Sequence, residues 1–358
     1  MKIEDYIVDS NMQLSDAVAQ MTKNAVKGLV VVENEKVVGV FTRRDLVNCS
    51  HVFGIRNVPI KAFINENFNY CLNKVDEKYK NSKHTLIPVL NEKKELIDIY
   101  FPKKTVYINK YHYPVVVMAG GLGTRLYPYT KVLPKPLVPV IDDKPMVEMI
   151  MDSFNNYGSN DFYLIVNHKK EMIKSYFEEN DHNYNVHYGE EIEQLGTGGG
   201  LYYVKDQVKE TFYLTNCDIL TLEDYDEIYE YHKNAGNVIT MIVSLKSVHV
   251  PYGVVHTDEN QNLVGSTEKP TYMILVNTGV YIVEPDVFNY IGCEEKVDFP
   301  TVINRIKNDG KKVGIYPITE DKWLDMGQIN ELENSRQILS SLIKEKNEFI
   351  QDKKIYKK

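Results

Sequence analysis

The chain has 358 residues and a formal net charge of −8, from 42 Lys and Arg against 50 Asp and Glu; 43% of residues are hydrophobic and 26% charged. That balance suits a protein that buries a core and excludes collagen-like, coiled-coil and wholly disordered classes, and the length suggests two domains. The longest apolar runs, such as the one around Val115 to Ala119, are too short to span a bilayer, so no membrane partner is expected, and the acidic start Met1-Lys2-Ile3-Glu4-Asp5 is unlike a secretory leader.

Near the N-terminus, Leu14, Ala17, Val18 and Met21 recur at helical spacing and predict one apolar helix face. A β-rich run, Leu29 to Val32, then leads through Asn34-Glu35-Lys36 into a second run, Val37 to Phe41. The same design recurs as Leu86 to Leu90, Asn91-Glu92-Lys93 and Leu96 to Tyr100, so a helix-plus-hairpin unit is expected twice. The first copy ends Gly39-Val40-Phe41-Thr42-Arg43-Arg44-Asp45-Leu46, which resembles the ending of a CBS domain. The resemblance implies a tandem CBS pair over residues 1–108, of α+β class, in which Thr42 and Asp45 could hold the ribose of an adenine nucleotide. Asp45 could equally cap a helix. The second copy has Tyr100-Phe101-Pro102-Lys103 in place of Thr-x-x-Asp, so at most one half-site is implied.

Phe101 to Pro114, polar and aromatic, reads as a connection. Beyond it, strands alternate with helices. Strands are expected at Val115–Met118, Phe162–Val166, Tyr184–Tyr188, Phe212–Asn216 and Val238–Leu245. Helices are expected at Pro145–Tyr157, Glu171–Glu179 and Leu222–His232. This pattern predicts an α/β, Rossmann-like domain with a mainly parallel, mixed sheet, whose ligands sit beyond the carboxyl ends of the strands.

The first of these strands runs into Ala119-Gly120-Gly121-Leu122-Gly123-Thr124-Arg125. Glycines there let backbone N–H groups approach phosphates. The loop lacks the Lys-Ser or Lys-Thr of a Walker A motif, and Pro128, Pro134, Pro136 and Pro139 forbid the long helix of a dinucleotide fold. An extended loop is expected instead, with Arg125 and Lys135 converging on one polyphosphate.

Gly120 to Pro128 followed by Leu133-Pro134-Lys135-Pro136-Leu137 resembles the signature of sugar-1-phosphate nucleotidyltransferases, and the likeness extends over residues 113–335. It implies that Ala119, Gly120, Gly121, Gly123 and Thr124 wrap a nucleoside triphosphate while Arg125 and Lys135 neutralise its phosphates. Leu195-Gly196-Thr197-Gly198-Gly199 looks like the loop that meets the base through Gly196 and Thr197. By the same resemblance, Asp218 and the Asp325 of Trp323-Leu324-Asp325-Met326-Gly327 hold Mg²⁺. Lys269 would take the acceptor phosphate, Glu268 and Asn277 the sugar hydroxyls, and Gly253 and Gly279 would make room for the ring. Arg125, Lys135, Asp218 and Lys269 are then the catalytic set. The motifs look nearest to guanylyltransferases, with thymidylyl, uridylyl or cytidylyl transfer, or an inactive nucleotide sensor, left open.

The catalytic domain is expected over residues 113–345, closed by a helix with a stripe of Leu332, Ile338, Leu339, Leu342 and Ile343, and followed by a basic tail over residues 346–358 with Lys353, Lys354, Lys357 and Lys358. Residues 1–110 carry 17 basic and 13 acidic side chains, residues 111–358 carry 25 and 37. The acidic larger part argues against a nucleic-acid polymer as partner. Four scattered cysteines (Cys49, Cys71, Cys217, Cys293) read as reduced thiols of a cytoplasmic protein, and a homodimer or higher homo-oligomer is expected.

Overall fold

The computed structural model describes residues 2–24, 26–49, 58–80, 82, 84–102 and 111–355, with side chains as far as Lys344 except that of Arg44. The connection from Phe101 to Pro114 therefore lies partly outside the described residues, and so do the side chains of the basic tail. The chain forms two compact units that are not contiguous in sequence. One comprises Met1–Tyr107, Val243–Val276 and Pro317–Asp321; the other Ile108–Ile242, Asn277–Tyr316 and Lys322–Lys358.

In the first unit, β1 (Ile7–Asp9), α1 (Leu14–Lys23), β2 (Gly28–Glu33), β3 (Lys36–Thr42) and α2 (Arg43–Cys49) follow in order. β1 pairs parallel with β2, and β2 antiparallel with β3, with a bulge between Val31 and Val32. The second copy repeats this scheme. β4 (Cys71–Leu72) pairs parallel with β5 (Ile87–Leu90), which pairs antiparallel with β6 (Leu96–Tyr100), bulged between Val89 and Leu90. Among the described residues the helix does not recur: a 3₁₀ turn, Glu77–Tyr79, lies between β4 and β5. The two hairpins bury Val30, Val37, Val40, Leu86, Leu90 and Ile99 in one cluster. A separate core collects Leu14, Val18, Met21, Leu29 and Phe41 together with Leu245 and Met273, which arrive from far along the chain.

The second unit opens with β7 (Val115–Met118), α3 (Tyr129–Val132), the β8 (Pro139–Ile141) and β9 (Lys144–Pro145) hairpin, and α4 (Met146–Asn155). β10 (Asp161–Val166), α5 (Lys170–Glu179), β11 (Asn185–Glu190), α6 (Gly196–Gly199), β12 (Phe212–Asn216), β13 (Ile219–Thr221) and α7 (Tyr225–Ala235) come next. β14 (Ile239–His249) and β17 (Thr271–Val283) run from one unit into the other, and between them β15 (Val254–Thr257) pairs with β16 (Leu263–Thr267). α8 (Phe299–Asn308), β18 (Val313–Thr319), β19 (Trp323–Asp325) and α9 (Ile329–Ile355) complete the chain.

The main sheet has the order β11-β10-β7-β12-β17-β14-β18. β11, β10, β7 and β12 pair in parallel and β17 joins antiparallel, the expected mixed sheet. Continuous apolar runs such as Val115-Val116-Val117 form its central strands because both faces are covered. α9 docks through Leu332 and Leu339, which are buried, whereas Leu342 and Ile343 of the same stripe are exposed. No helix among the described residues is long and apolar enough to cross a membrane.

One polar knot, about a buried His232, ties α7 to the end of β17. Glu284 accepts from Lys233 Nζ at 2.9 Å and Thr211 Oγ1 at 2.7 Å, and His232 Nε2 lies 3.1 Å away. Burial opposes the Glu284 charge, but those bonds outweigh it and take the carboxyl down to about 2. A depressed carboxylate contributes stability above the ordinary glutamate range, lost as pH falls through about 2. Glu284→Gln is expected to lower Tm by roughly 2–4 °C at neutral pH, with the deficit closing near pH 2, by calorimetry across pH.

Candidate active site

The glycine loop leaves β7 at the carboxyl end of the sheet, where Ala119 N still bonds Ile165 O at 2.8 Å. A Cβ on Gly120 would lie 2.7 Å from Glu191 Oε2, so a larger residue would displace the Glu191 carboxyl. Gly123 has φ +68, and a Cβ there would meet Lys135 Cβ at 2.8 Å and Thr130 Cγ2 at 2.9 Å. The start of the loop is thus folded back onto its end, and Thr130 Oγ1 donates to Gly123 O at 2.7 Å to hold it. Between them lie single turns, Thr124–Leu126, α3 and Lys135–Leu137, rather than the extended path expected. The prolines exclude a long helix but their φ near −65° still admits one turn at a time. Gly121, Thr124 and Arg125 are exposed on this loop.

Asp218 follows β12 and Asp325 ends β19. β13 and β19 pair antiparallel with Ile219 opposite Asp325, and Met326 N bonds Asp218 O at 2.8 Å, so the strand pairing brings the two carboxylates together. A Cβ on Gly327 would be 2.4 Å from Asp218 Oδ2, 3.0 Å from Asp325 Oδ1 and 3.5 Å from an Arg125 guanidinium nitrogen. Lys135 Nζ donates to Asp218 Oδ2, both side chains being nearly buried. Burial opposes the Lys135 charge, yet Cys217 and Asp218 more than offset it and raise its pKa. Burial pushes the Cys217 thiol itself up to about 12, so it is neutral and Asp218 is the effective partner. The Asp325 carboxyl is raised by burial and by the Asp218 charge, against a 2.7 Å bond from Gly327 N. Among the described residues no cluster of three or more His, Cys, Asp or Glu could hold a metal alone. Two crowded, half-desolvated carboxylates fit a hard divalent cation that completes its shell with water and substrate phosphate.

Arg125, Thr197, Asp218, Asn277, Gly279 and Asp325 line one cavity of about 340 Å³. Thr197 does not cap its own helix: its Oγ1 accepts from Phe299 N at 3.0 Å, the first residue of α8. Gly196 has φ +81 and packs on Asp298, which places α6 beside that helix end. Asn277 Oδ1 accepts from Gly279 N at 3.1 Å and its Nδ2 donates to Tyr281 OH at 2.6 Å, fixing the amide. Gly279, at φ +83, leaves room for Asn216 Nδ2, 2.5 Å from where its Cβ would stand.

Gly253, Glu268 and Lys269 belong to the other unit, on the exposed β15–β16 ribbon, where a Cβ on Gly253 would lie 2.9 Å from Glu268 Oε2. Thr42 and Asp45 belong there too. Asp45 Oδ2 accepts from Thr42 N at 2.7 Å and Oγ1 at 2.8 Å, a local capping arrangement at the start of α2.

Two further polar residues gain a place near the site only in the fold, Glu191 and Asn216. Glu191 is 6% exposed at the end of β11, its pKa raised by burial, and Oε1 accepts from Leu195 N at 3.2 Å. The strand-end rule that singled out Asp218 applies to it equally. Asn216 lines the cavity beside Asp218.

The sequence pattern of the family described as nucleotidyl transferase matches residues 114–341, and that of the CBS domain matches residues 1–51. A D-glycero-alpha-D-manno-heptose 1-phosphate guanylyltransferase of Campylobacter jejuni is 33% identical over 214 residues, 59% of this chain and 93% of the relative. A mannose-1-phosphate guanyltransferase of Saccharomyces cerevisiae is 31% identical over 228 residues, and this chain spans 61% of its length. The crystal structure of HddC from Yersinia pseudotuberculosis covers 63% of this chain and 98% of its own, at TM-score 0.49 and 24% identity. Glycine loop, paired carboxylates and a family match over most of the chain agree: this protein belongs to the nucleotidyl transferase family and carries a CBS domain at its N-terminal end.

Proposed function

We propose that the enzyme transfers the guanylyl group of GTP to a sugar 1-phosphate, releasing pyrophosphate and forming a GDP-sugar. The observation that carries this reading is the convergence of Arg125, Asp218 and Asp325 around Gly327, with Lys135 paired to Asp218. An oxygen of the sugar phosphate attacks the α-phosphorus in line; one P–O bond forms as the bond to the β-phosphate oxygen breaks. The attacking oxygen is already ionised, so no general base is required. Arg125 and Lys135 take up triphosphate charge; Lys269 is the acceptor-phosphate residue that the family resemblance implies. Asp218 and Asp325 would hold Mg²⁺, which when bound offsets charge on the phosphates. Asn277 meets a sugar hydroxyl, with Gly279 giving the ring room; Ala119, Gly120, Gly121, Gly123 and Thr124 enclose the triphosphate.

The base assignment rests on Glu191 beside Gly120, and on guanylyltransferases among the relatives. Guanine offers two adjacent N–H donor groups on one edge, which a carboxylate accepts together, with the backbone of Gly196 and Thr197 completing the base site. Uracil and thymine flank their single N–H with carbonyl oxygens that a carboxylate repels. A matrix of nucleoside triphosphates against mannose, glucose, glucosamine and heptose 1-phosphates, scored by pyrophosphate release, tests this. GTP should lead; a faster UTP or dTTP reaction overturns the base assignment, and silence everywhere overturns the transfer. Glu191→Gln should lower kcat/KM for GTP by roughly 10–100-fold and narrow its lead over UTP.

At the CBS domain, Thr42 and Asp45 would meet the ribose of an adenine nucleotide. Titration of the full chain with AMP in a calorimeter tests that role, and an absence of heat would leave the domain a structural part, consistent with a cytoplasmic homo-oligomer.

A further inference from the structure

The loop proposed to hold the nucleotide is bracketed by Lys169, whose ammonium is committed to backbone carbonyls. α3 is a single turn whose last carbonyls have no partner within the helix, the usual condition of a helix end. Lys169 Nζ lies 3.0 Å from Thr130 O, 2.9 Å from Lys131 O and 2.9 Å from Val132 O. An ammonium has three donors, and three carbonyls receive them. The side chain reaches this cradle from a backbone held at φ +54, left-handed for a residue with a Cβ.

The segment that ends in Lys169 also holds the other end of the loop. His168 N points at Gly120 O at 3.5 Å, and Asn167 Cβ would be 3.2 Å from a Cβ on Gly120. The cradle connects onward to the phosphate cations. Thr130, whose carbonyl Lys169 binds, donates its hydroxyl to Gly123 O, and Gly123 packs against the Lys135 stem. Three residues at the carboxyl end of β10 therefore grip the loop at Gly120 and at Thr130 to Val132.

We infer that Lys169 is a positioning residue for the triphosphate: its ammonium, acting as a tethered cation in a three-carbonyl cradle, sets the conformation of the loop that presents Lys135. The inference rests on the proposed reading of this loop as the triphosphate site. Because the cradle binds a cation through oxygen atoms alone, a free alkylammonium ion can replace the lost side chain. The test is Lys169→Ala in the full chain, with KM for GTP and for the sugar 1-phosphate measured separately, with and without n-propylammonium chloride. Calorimetric GTP affinity of the same proteins gives a second readout. Expected are a rise in KM and Kd for GTP of roughly 10–100-fold, little change in KM for the acceptor, and recovery with propylammonium but not with tetramethylammonium at equal ionic strength. An unchanged KM for GTP overturns the inference. So does a parallel rise in both KM values without amine recovery, the behaviour of a merely structural lysine. If Lys169→Ala does not fold, Lys169→Met retains the stem without the charge, with ammonium chloride as the rescuing ion. Wild-type protein that binds no nucleoside triphosphate defeats the reading of the site itself, an outcome separate from a wild type that binds GTP and a variant that binds it equally well.

Discussion

Asp218→Asn and Lys135→Ala are each expected to lower turnover by at least about 10³-fold while leaving the fold in place. Both side chains are nearly buried and joined to each other, and Asp325 and Arg125 stand within the same few ångströms around Gly327. Replacing Asp218 by its isostere removes one negative charge from this group and leaves the shape unaltered. The cation that the carboxylates would hold loses half of its protein ligands, and Lys135 loses the partner that offsets its burial. Lys135→Ala acts from the other side, since the triphosphate then meets the Asp218 and Asp325 carboxylates with one cation fewer. Pyrophosphate release under saturating substrates measures the loss, and near-UV circular dichroism with Tm checks the fold. A near-normal rate in either variant would sink the assignment of this cavity.

A single methyl group should do almost as much damage at Gly327. The Cβ of Gly327→Ala would be placed 2.4 Å from Asp218 Oδ2, closer than such atoms can approach, and 3.0 Å from Asp325 Oδ1, tighter than nearly all real contacts. Neither carboxylate can retreat cheaply. Asp218 is tied to Lys135, and Asp325 accepts from Gly327 N itself. Turnover is expected to fall by about 10²-fold or more, with the apparent affinity for Mg²⁺ reduced before that for the acceptor. Titration of activity against Mg²⁺ is the deciding measurement. An unchanged metal dependence would mean that the two carboxylates do not act as a pair.

Much of this site was legible because its first half is local. Gly120, Gly123, Arg125 and Lys135 lie within a short proline-braced stretch, and the absence of Cβ atoms and fixed proline φ angles act over a few residues. The hairpins, the parallel strands Val115–Met118 and Phe212–Asn216, and the helix starting near Pro145 were equally readable, since apolar periodicity sets them. Turn lengths were less so: single turns replaced an extended path between Thr124 and Leu137, and among the described residues the helix does not recur in the second hairpin copy. Glu191 escaped notice because its side chain gains meaning only from Gly120, 71 residues earlier, against which it packs.

The sequence by itself determined the α/β alternation and the glycine loop with its two cations, and it offered Asp218 and Asp325 as candidates. Tertiary structure alone decided that Asp218 and Asp325 are neighbours, because the pairing of β13 with β19 joins segments about a hundred residues apart. It also decided that Thr197 caps α8 rather than its own helix, and that Leu245 and Met273 complete the core of the N-terminal unit. The physical reason is common to all three. Backbone geometry and periodicity are properties of adjacent residues, whereas a hydrogen-bond partner or a core neighbour is chosen by which surfaces the folded chain brings into contact.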